Sequence, residues 1–165
     1  MRRVDTEAPE RGASGAGVTV TPGDPRAPDA RRLLEASHAY LLSKYPPEDS
    51  FALSVDELAG PHIRFFLARR GDTAVGCGAL AIKDGYGELK SMFVDPAARG
   101  SGAGAAIVAR LIEEGRSLGL PLLRLETGDD LWPAHRLYAR HGFAPCGPFG
   151  DYREGPHSVF MERAL

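Results

Sequence analysis

Cysteine and tryptophan are scarce in this chain, which holds two of the first and one of the second. Cys77 and Cys146 stand far apart and in no C-x-x-C spacing, so the sequence encodes neither a disulfide framework nor a cysteine metal or redox pair. An excess of one charge is also missing, because 20 Lys and Arg oppose 22 Asp and Glu. Without a basic surplus the chain lacks the electrostatic footprint of a nucleic-acid or anionic-membrane binder. No apolar run nears the roughly 18 residues that mark a membrane span. The opening "MRRVDTEAPERGASGAG" has no apolar centre of the kind a secretory signal needs. His38, His62, His141 and His157 fall into no ligand spacing such as HExxH. The expectations are reduced cysteines, a cytoplasmic location, no metal, and no nucleic acid or membrane as partner.

What is present suits a globular enzyme-sized domain: 165 residues, 43% hydrophobic and 25% charged, enough to bury a core. Residues 1–17 are polar and aperiodic and read as a disordered leader before one domain over residues 18–165. "VTVTP" alternates as a strand does. "PDARRLLEASHAYLLSKYP" places Leu34, His38, Leu41, Leu42 and Tyr45 on one helical face, ended by Pro46 and Pro47. "HIRFFLARR", "TAVGCGALAI" and "YGELKSMFV" are separated by turn pairs and read as an antiparallel meander. A helix from Gly102 to about Leu118 then leads into the strand "PLLRLET", a crossover that makes the two flanking strands parallel. "DDLWPAHRLYARHGF" is a further helix, with aspartates as its N-cap and Gly142 as its closing residue, and "SVFMERAL" is a last strand. The class is mixed α/β: six or seven mostly antiparallel strands and three or four helices.

Gly100, Gly102 and Gly104 sit at alternate positions where the long helix begins, although glycine weakens helices. A helix start leaves backbone N–H groups without partners and carries partial positive charge, so an anion can bind where no side chain blocks it. From Gly100 through Ala105 every residue is Gly, Ser or Ala, and Arg99 adds a permanent cation suited to phosphate. The pattern reads as a diphosphate cradle. It is no P-loop, since Ala105 and Ala106 follow Gly104 where Lys and Ser or Thr are needed. Gly100, Gly102 and Ala105 do satisfy the dinucleotide fingerprint G-x-G-x-x-A, with Glu126 where a ribose-binding acid would stand. Against a dehydrogenase, "DPAAR" separates the glycines from their strand, and an antiparallel meander comes first.

Arg99, Gly102 and Gly104 also fit R/Q-x-x-G-x-G/A, after the strand "ELKSMFV" and with "LYARHGF" further on. In these motifs, most strongly from Glu88 to Phe143, the chain resembles the GNAT superfamily of acetyl-CoA-dependent N-acetyltransferases. The resemblance implies the GNAT-like sheet with a splayed parallel pair, and acetyl-CoA as cosubstrate. It implies that the backbone of Met92, Phe93 and Val94 pairs with the pantetheine arm at a bulge, placed at Met92. It assigns the diphosphate to the loop of Arg99, Gly100, Ser101, Gly102, Ala103, Gly104 and Ala105. It further implies that Tyr138 is the general acid. Many relatives carry asparagine seven residues before this tyrosine; here Leu131 stands there, with His135 or backbone groups as substitutes.

Acetyl transfer to an amine needs a base, because an alkyl ammonium has a pKa of about 10.4. Glu88 is the first candidate, sharing a strand face with Lys90, Met92 and Val94 by period two. Glu126 on the neighbouring strand is the second. Glu88 could instead be an ordinary strand-end charge, and Tyr138 an ordinary core aromatic. The acceptor, a small-molecule amine or an amino terminus, is expected against Tyr45, Phe149 and Tyr152, with Asp49 and Asp151 nearby. A non-catalytic acyl-CoA-binding module is the alternative function, because fold and cofactor loop do not establish turnover. A homodimer is compatible with the sequence.

Overall fold

A computed structural model describes residues 17–165, so the expected leader lies outside the described residues save for its last position. Seven strands form one sheet in the order β1-β2-β3-β4-β5-β7-β6. They are β1 (Val18–Pro22), β2 (Ile63–Arg70), β3 (Thr73–Lys83), β4 (Tyr86–Val94), β5 (Leu122–Gly128), β6 (Ala144–Cys146) and β7 (Ser158–Ala164). Four α-helices accompany them: α1 (Pro28–Lys44), α2 (Val55–Leu58), α3 (Ala103–Ser117) and α4 (Trp132–Arg140). Every neighbouring pair is antiparallel except β4 with β5, which α3 connects. Among the described residues no helix is long and apolar enough to cross a membrane.

Both faces of the sheet are covered. α1 and α2 lay Leu33, Leu34 and Leu58 on Phe65, Leu67, Cys77 and Ala79. On the other face α3 sets Ile107, Val108, Leu111 and Ile112 against Phe66, Leu80, Leu89, Leu123 and Leu125, joined by Tyr138 of α4. The alternation along β2 serves both layers, as expected of a strand buried on both sides. The first helix departs in detail from its expected face. Ala30, Leu33, Leu34 and Ser37 are its buried residues and Leu42 is 54% exposed, because position 42 turns away from the stripe that Leu34, His38 and Leu41 share. α4 has Leu131 as its N-cap without a side-chain bond; Asp130, expected to cap it, instead accepts from Lys44 and Tyr45. Gly142 closes that helix with a φ of 84°, in the left-handed region.

Two irregularities make the site. β4 and β5 pair only from Gly87 to Leu89 against Leu123 to Leu125. Beyond that, β4 runs on beside β3 alone and β5 beside β7 alone, so the parallel strands part and leave backbone edges facing each other across a gap. The second is a bulge: Cys77 faces Phe93 and Ala79 faces Lys90, so Ser91 and Met92 together oppose Gly78. The left-handed residue is Ser91, with a φ of 54°, one position before the expected site at Met92. The Cys77 thiol donates to the Ser91 carbonyl at 3.2 Å. Gly78 is required opposite, since a Cβ there would lie 2.5 Å from Ile107 and 2.7 Å from the Met92 sulfur. The extra residue also breaks the period-two count. Met92 and Val94 pack with Leu89 on the α3 side, whereas Glu88 and Lys90 lie on the opposite face, so the four do not share a face as the sequence suggested.

Candidate active site

A cleft of about 490 Å³ opens at the parted strands, beneath the start of α3. Of the ten residues expected to hold the cofactor, all but Ser101 line it. Ser101 turns its hydroxyl to accept the Ala103 N–H at 3.3 Å. Gly100 and Gly102 have φ values of 80° and 85°, which side-chain-bearing residues rarely adopt. Gly104 serves differently: a Cβ there would press within 3.1 Å of Leu137, so its absence lets α4 approach α3. Ala106 donates to Gly102, and among the described residues the N–H groups of Gly104 and Ala105 find no acceptor in the chain. Arg99 and Arg140 add guanidinium groups to the same wall. Unpartnered main-chain N–H groups beside arginines are an arrangement that can accept an anion.

A second cavity, of about 130 Å³, lies on the α1 side of the gap. Its wall draws on α1 (Leu34, His38, Leu41), the loop at Asp49–Ala52, β4 (Lys90), β5 (Glu126, Thr127) and His157. Ser37, Leu41, Met92, Leu131 and Tyr138 line both spaces, so the two meet there. Tyr138 is 5% exposed. Burial, reinforced by the nearby Glu126 charge, pushes its phenol above the ordinary tyrosine range and keeps it protonated. Glu126 is also raised, chiefly by burial and further by the charge of Glu88, against the opposing effects of Ser158 and Lys90. Its carboxylate accepts the Ser158 hydroxyl at 2.9 Å.

The remaining candidates separate. Glu88 is 4% exposed and does not reach the wall of the cavity. It accepts the Tyr152 hydroxyl at 2.5 Å and lies 3.4 Å from the Lys90 ammonium. Phe149 and Tyr152 likewise sit behind the wall, packed edge to face at 5.1 Å and both against Phe160. Tyr45 does line the cavity, with its hydroxyl donating to Asp130. It crosses β5 where Gly128 leaves room, since a Cβ at Gly128 would overlap the tyrosine ring. Leu131 contributes an apolar wall where the family resemblance implies asparagine, and His135 does not replace it: its Nε2–H donates to the Gly128 carbonyl at 2.7 Å. Sequence reading missed His157 as a wall residue. It lies between Asp49 at 3.9 Å and Asp129 at 3.6 Å, and only the fold joins these segments.

The sequence profile of the acetyltransferase (GNAT) family matches residues 28–143. An IAA acetyltransferase of Azospirillum brasilense is 45% identical over 152 residues, covering 90% of this chain and 98% of its own. A solved Klebsiella pneumoniae structure, assigned to the acyl-CoA N-acyltransferases, superposes with a TM-score of 0.75 at 32% identity, covering 91% of this chain and 99% of that one. A GNAT family acetyltransferase from Elizabethkingia anophelis, solved with acetyl-CoA bound, has a TM-score of 0.67 at 19% identity over 90% of this chain and 99% of its own, a likeness of fold. Strand order, parted parallel pair and sequence likeness agree: this chain belongs to the GNAT family of acetyltransferases and is an acyltransferase.

Proposed function

We propose that residues 18–165 form one N-acetyltransferase domain that takes an acetyl group from acetyl-CoA and delivers it to a primary amine, of a small molecule or an amino terminus, with both substrates bound together. The observation that carries this reading is the shared wall: the anion-accepting cleft and the small polar cavity meet at Met92, Leu131 and Tyr138. Such a junction lets an amine in one space reach an acyl group held in the other without a covalent enzyme intermediate.

The residues present fit the coenzyme. Free N–H groups at the start of α3, with Arg99 beside them, suit a diphosphate. The edge of β4 from Met92 to Val94, unpaired on the β5 side, suits the amides of a pantetheine arm. Bound there, acetyl-CoA supplies an acetyl thioester as the activated group. Glu126 is the carboxylate on the cavity wall next to the junction strand β4, and its raised pKa brings it nearer the acidity of the ammonium it must deprotonate, directly or through one water. Tyr138 keeps a proton on Oη at the junction, where a departing thiolate would be neutralised. The Azospirillum relative's name and the acetyl-CoA of the Elizabethkingia structure support the same donor chemistry.

Incubation with acetyl-CoA and a wide panel of amines, read by free thiol, tests the reading. Thiol release that requires an amine is the expected result. Coenzyme binding by calorimetry with no amine-dependent thiol across the panel overturns turnover in favour of an acyl-CoA-binding module. NADH binding in place of acetyl-CoA overturns the donor.

A further inference from the structure

Among the described residues, Lys90 is the one lysine or arginine on the wall of the small cavity, and its side chain is nearly enclosed, at 12% exposure. A lysine carries three N–H donors. Here two are directed to the Phe51 carbonyl and the Tyr152 hydroxyl, each at 2.9 Å, and the ammonium stands 3.4 Å from the Glu88 carboxylate as its ion-pair partner. Tyr152 in turn donates to Glu88. Burial together with the Glu88 charge pushes the Tyr152 phenol up, so it remains a donor.

The partners come from distant segments. Phe51 lies in the loop between α1 and α2, whose residues Asp49, Ser50, Phe51 and Ala52 form one wall of the cavity. Tyr152 lies in the loop between β6 and β7, which ends at the wall residue His157, beside Asp49. The Phe51 ring meets Tyr152 edge-on at 5.1 Å. Neither loop has a strand to hold it; each has a few turn bonds, such as Ser50 N–H to Pro47 and Tyr152 N–H to Phe149.

We infer that Lys90, Glu88 and Tyr152 form a buried clasp on β4 that positions both loops as walls of the acceptor cavity. Glu88 is the counter-charge of the clasp, and proton acceptance falls to Glu126. The inference rests on the cavity being the acceptor site, but the clasp itself is a structural claim with its own readout. Charged groups with all bonds made inside the protein fix a geometry, and removing one partner leaves the others buried and unpaired.

Hydrogen exchange on the whole chain tests it. Tyr152→Phe keeps the ring packed and deletes only the hydroxyl; amide exchange in peptides covering residues 47–53 and 149–153 should rise about tenfold. Lys90→Met should do the same. Glu88→Gln, which still accepts from Tyr152, should hold exchange within about threefold of the parent, whereas Glu88→Ala should not. Calorimetric affinity for acetyl-CoA should stay within about twofold in Tyr152→Phe, because neither Tyr152 nor its clasp partners line the cleft. Exchange unchanged in both Tyr152→Phe and Lys90→Met overturns the clasp. So does loss of acetyl-CoA affinity in step with loop opening. Failure of the parent chain to bind acetyl-CoA would instead strike the functional reading and leave the exchange result to decide the clasp alone.

Discussion

The cleft under α3 centres on one continuous stretch rich in small residues, Met92 to Ala105, flanked by α1 and α4, whereas the cavity across the gap draws on six separate segments. A backbone-built site needs only the right path of the chain, which glycine, alanine and a bulge provide. A side-chain-built site depends on which loops the fold brings together. The first suits a ligand common to a whole family; the second is where members of one family can differ in acceptor.

Substitutions at the junction break that comparison most severely, since they affect chemistry shared by both halves. Tyr138→Phe should lower turnover about 100-fold or more while leaving acetyl-CoA affinity within about twofold, as expected for loss of a proton donor; steady-state rates alongside calorimetry measure both. Glu126→Gln should cost turnover on a similar scale, about 100-fold. It should also remove the acid limb of the pH–rate profile, whose midpoint in the parent lies above the ordinary carboxylate range. The same group affects stability. Between the unfolded pKa and its raised folded pKa, the folded chain binds more protons than the unfolded one, so stability falls as pH rises through that window. Denaturant midpoints from pH 4.5 upward should show this fall reduced in Glu126→Gln.

On the cleft side, Arg99→Gln should weaken acetyl-CoA binding about tenfold with melting temperature unchanged, the amount of one charge-assisted bond. This substitution isolates binding better than Gly102→Val, because the left-handed backbone at Gly102 would strain any replacement. Smallest is Ser158→Ala. It removes the hydroxyl that holds the Glu126 charge and should move the acid limb upward by about half a pH unit, the share of one modest hydrogen bond.

Most of the cleft was legible before folding because its signals are local: three alternate glycines, an arginine, a strand before and a helix after. Tyr138 was legible for the same reason, as part of one helix. Glu88 was ranked ahead of Glu126 on strand position, which does not reveal that Tyr152 and Lys90 close over the first while the second reaches the wall. The shared face expected for Glu88 and Met92 failed on a single inserted residue, Ser91, whose left-handed backbone no residue type announces. Phe149 and Tyr152, expected against the acceptor, stand one layer behind the cavity wall, a depth that composition alone does not reveal. The short helix α2 was readable and overlooked: Ser54 and Glu57 spell a capping box, and both of its bonds are present.

Within the sheet, three rungs of parallel pairing are all that join the four strands β1 to β4 to the trio β5, β7 and β6. A guest whose amides pair with β4 would act as a surrogate strand, extending the seam between the two halves of the sheet. Coenzyme occupancy and global unfolding then become linked equilibria, worth about 2.7 kcal/mol at a hundredfold excess over Kd. A thermal melt titrated with coenzyme would therefore report on that seam before any acceptor is identified.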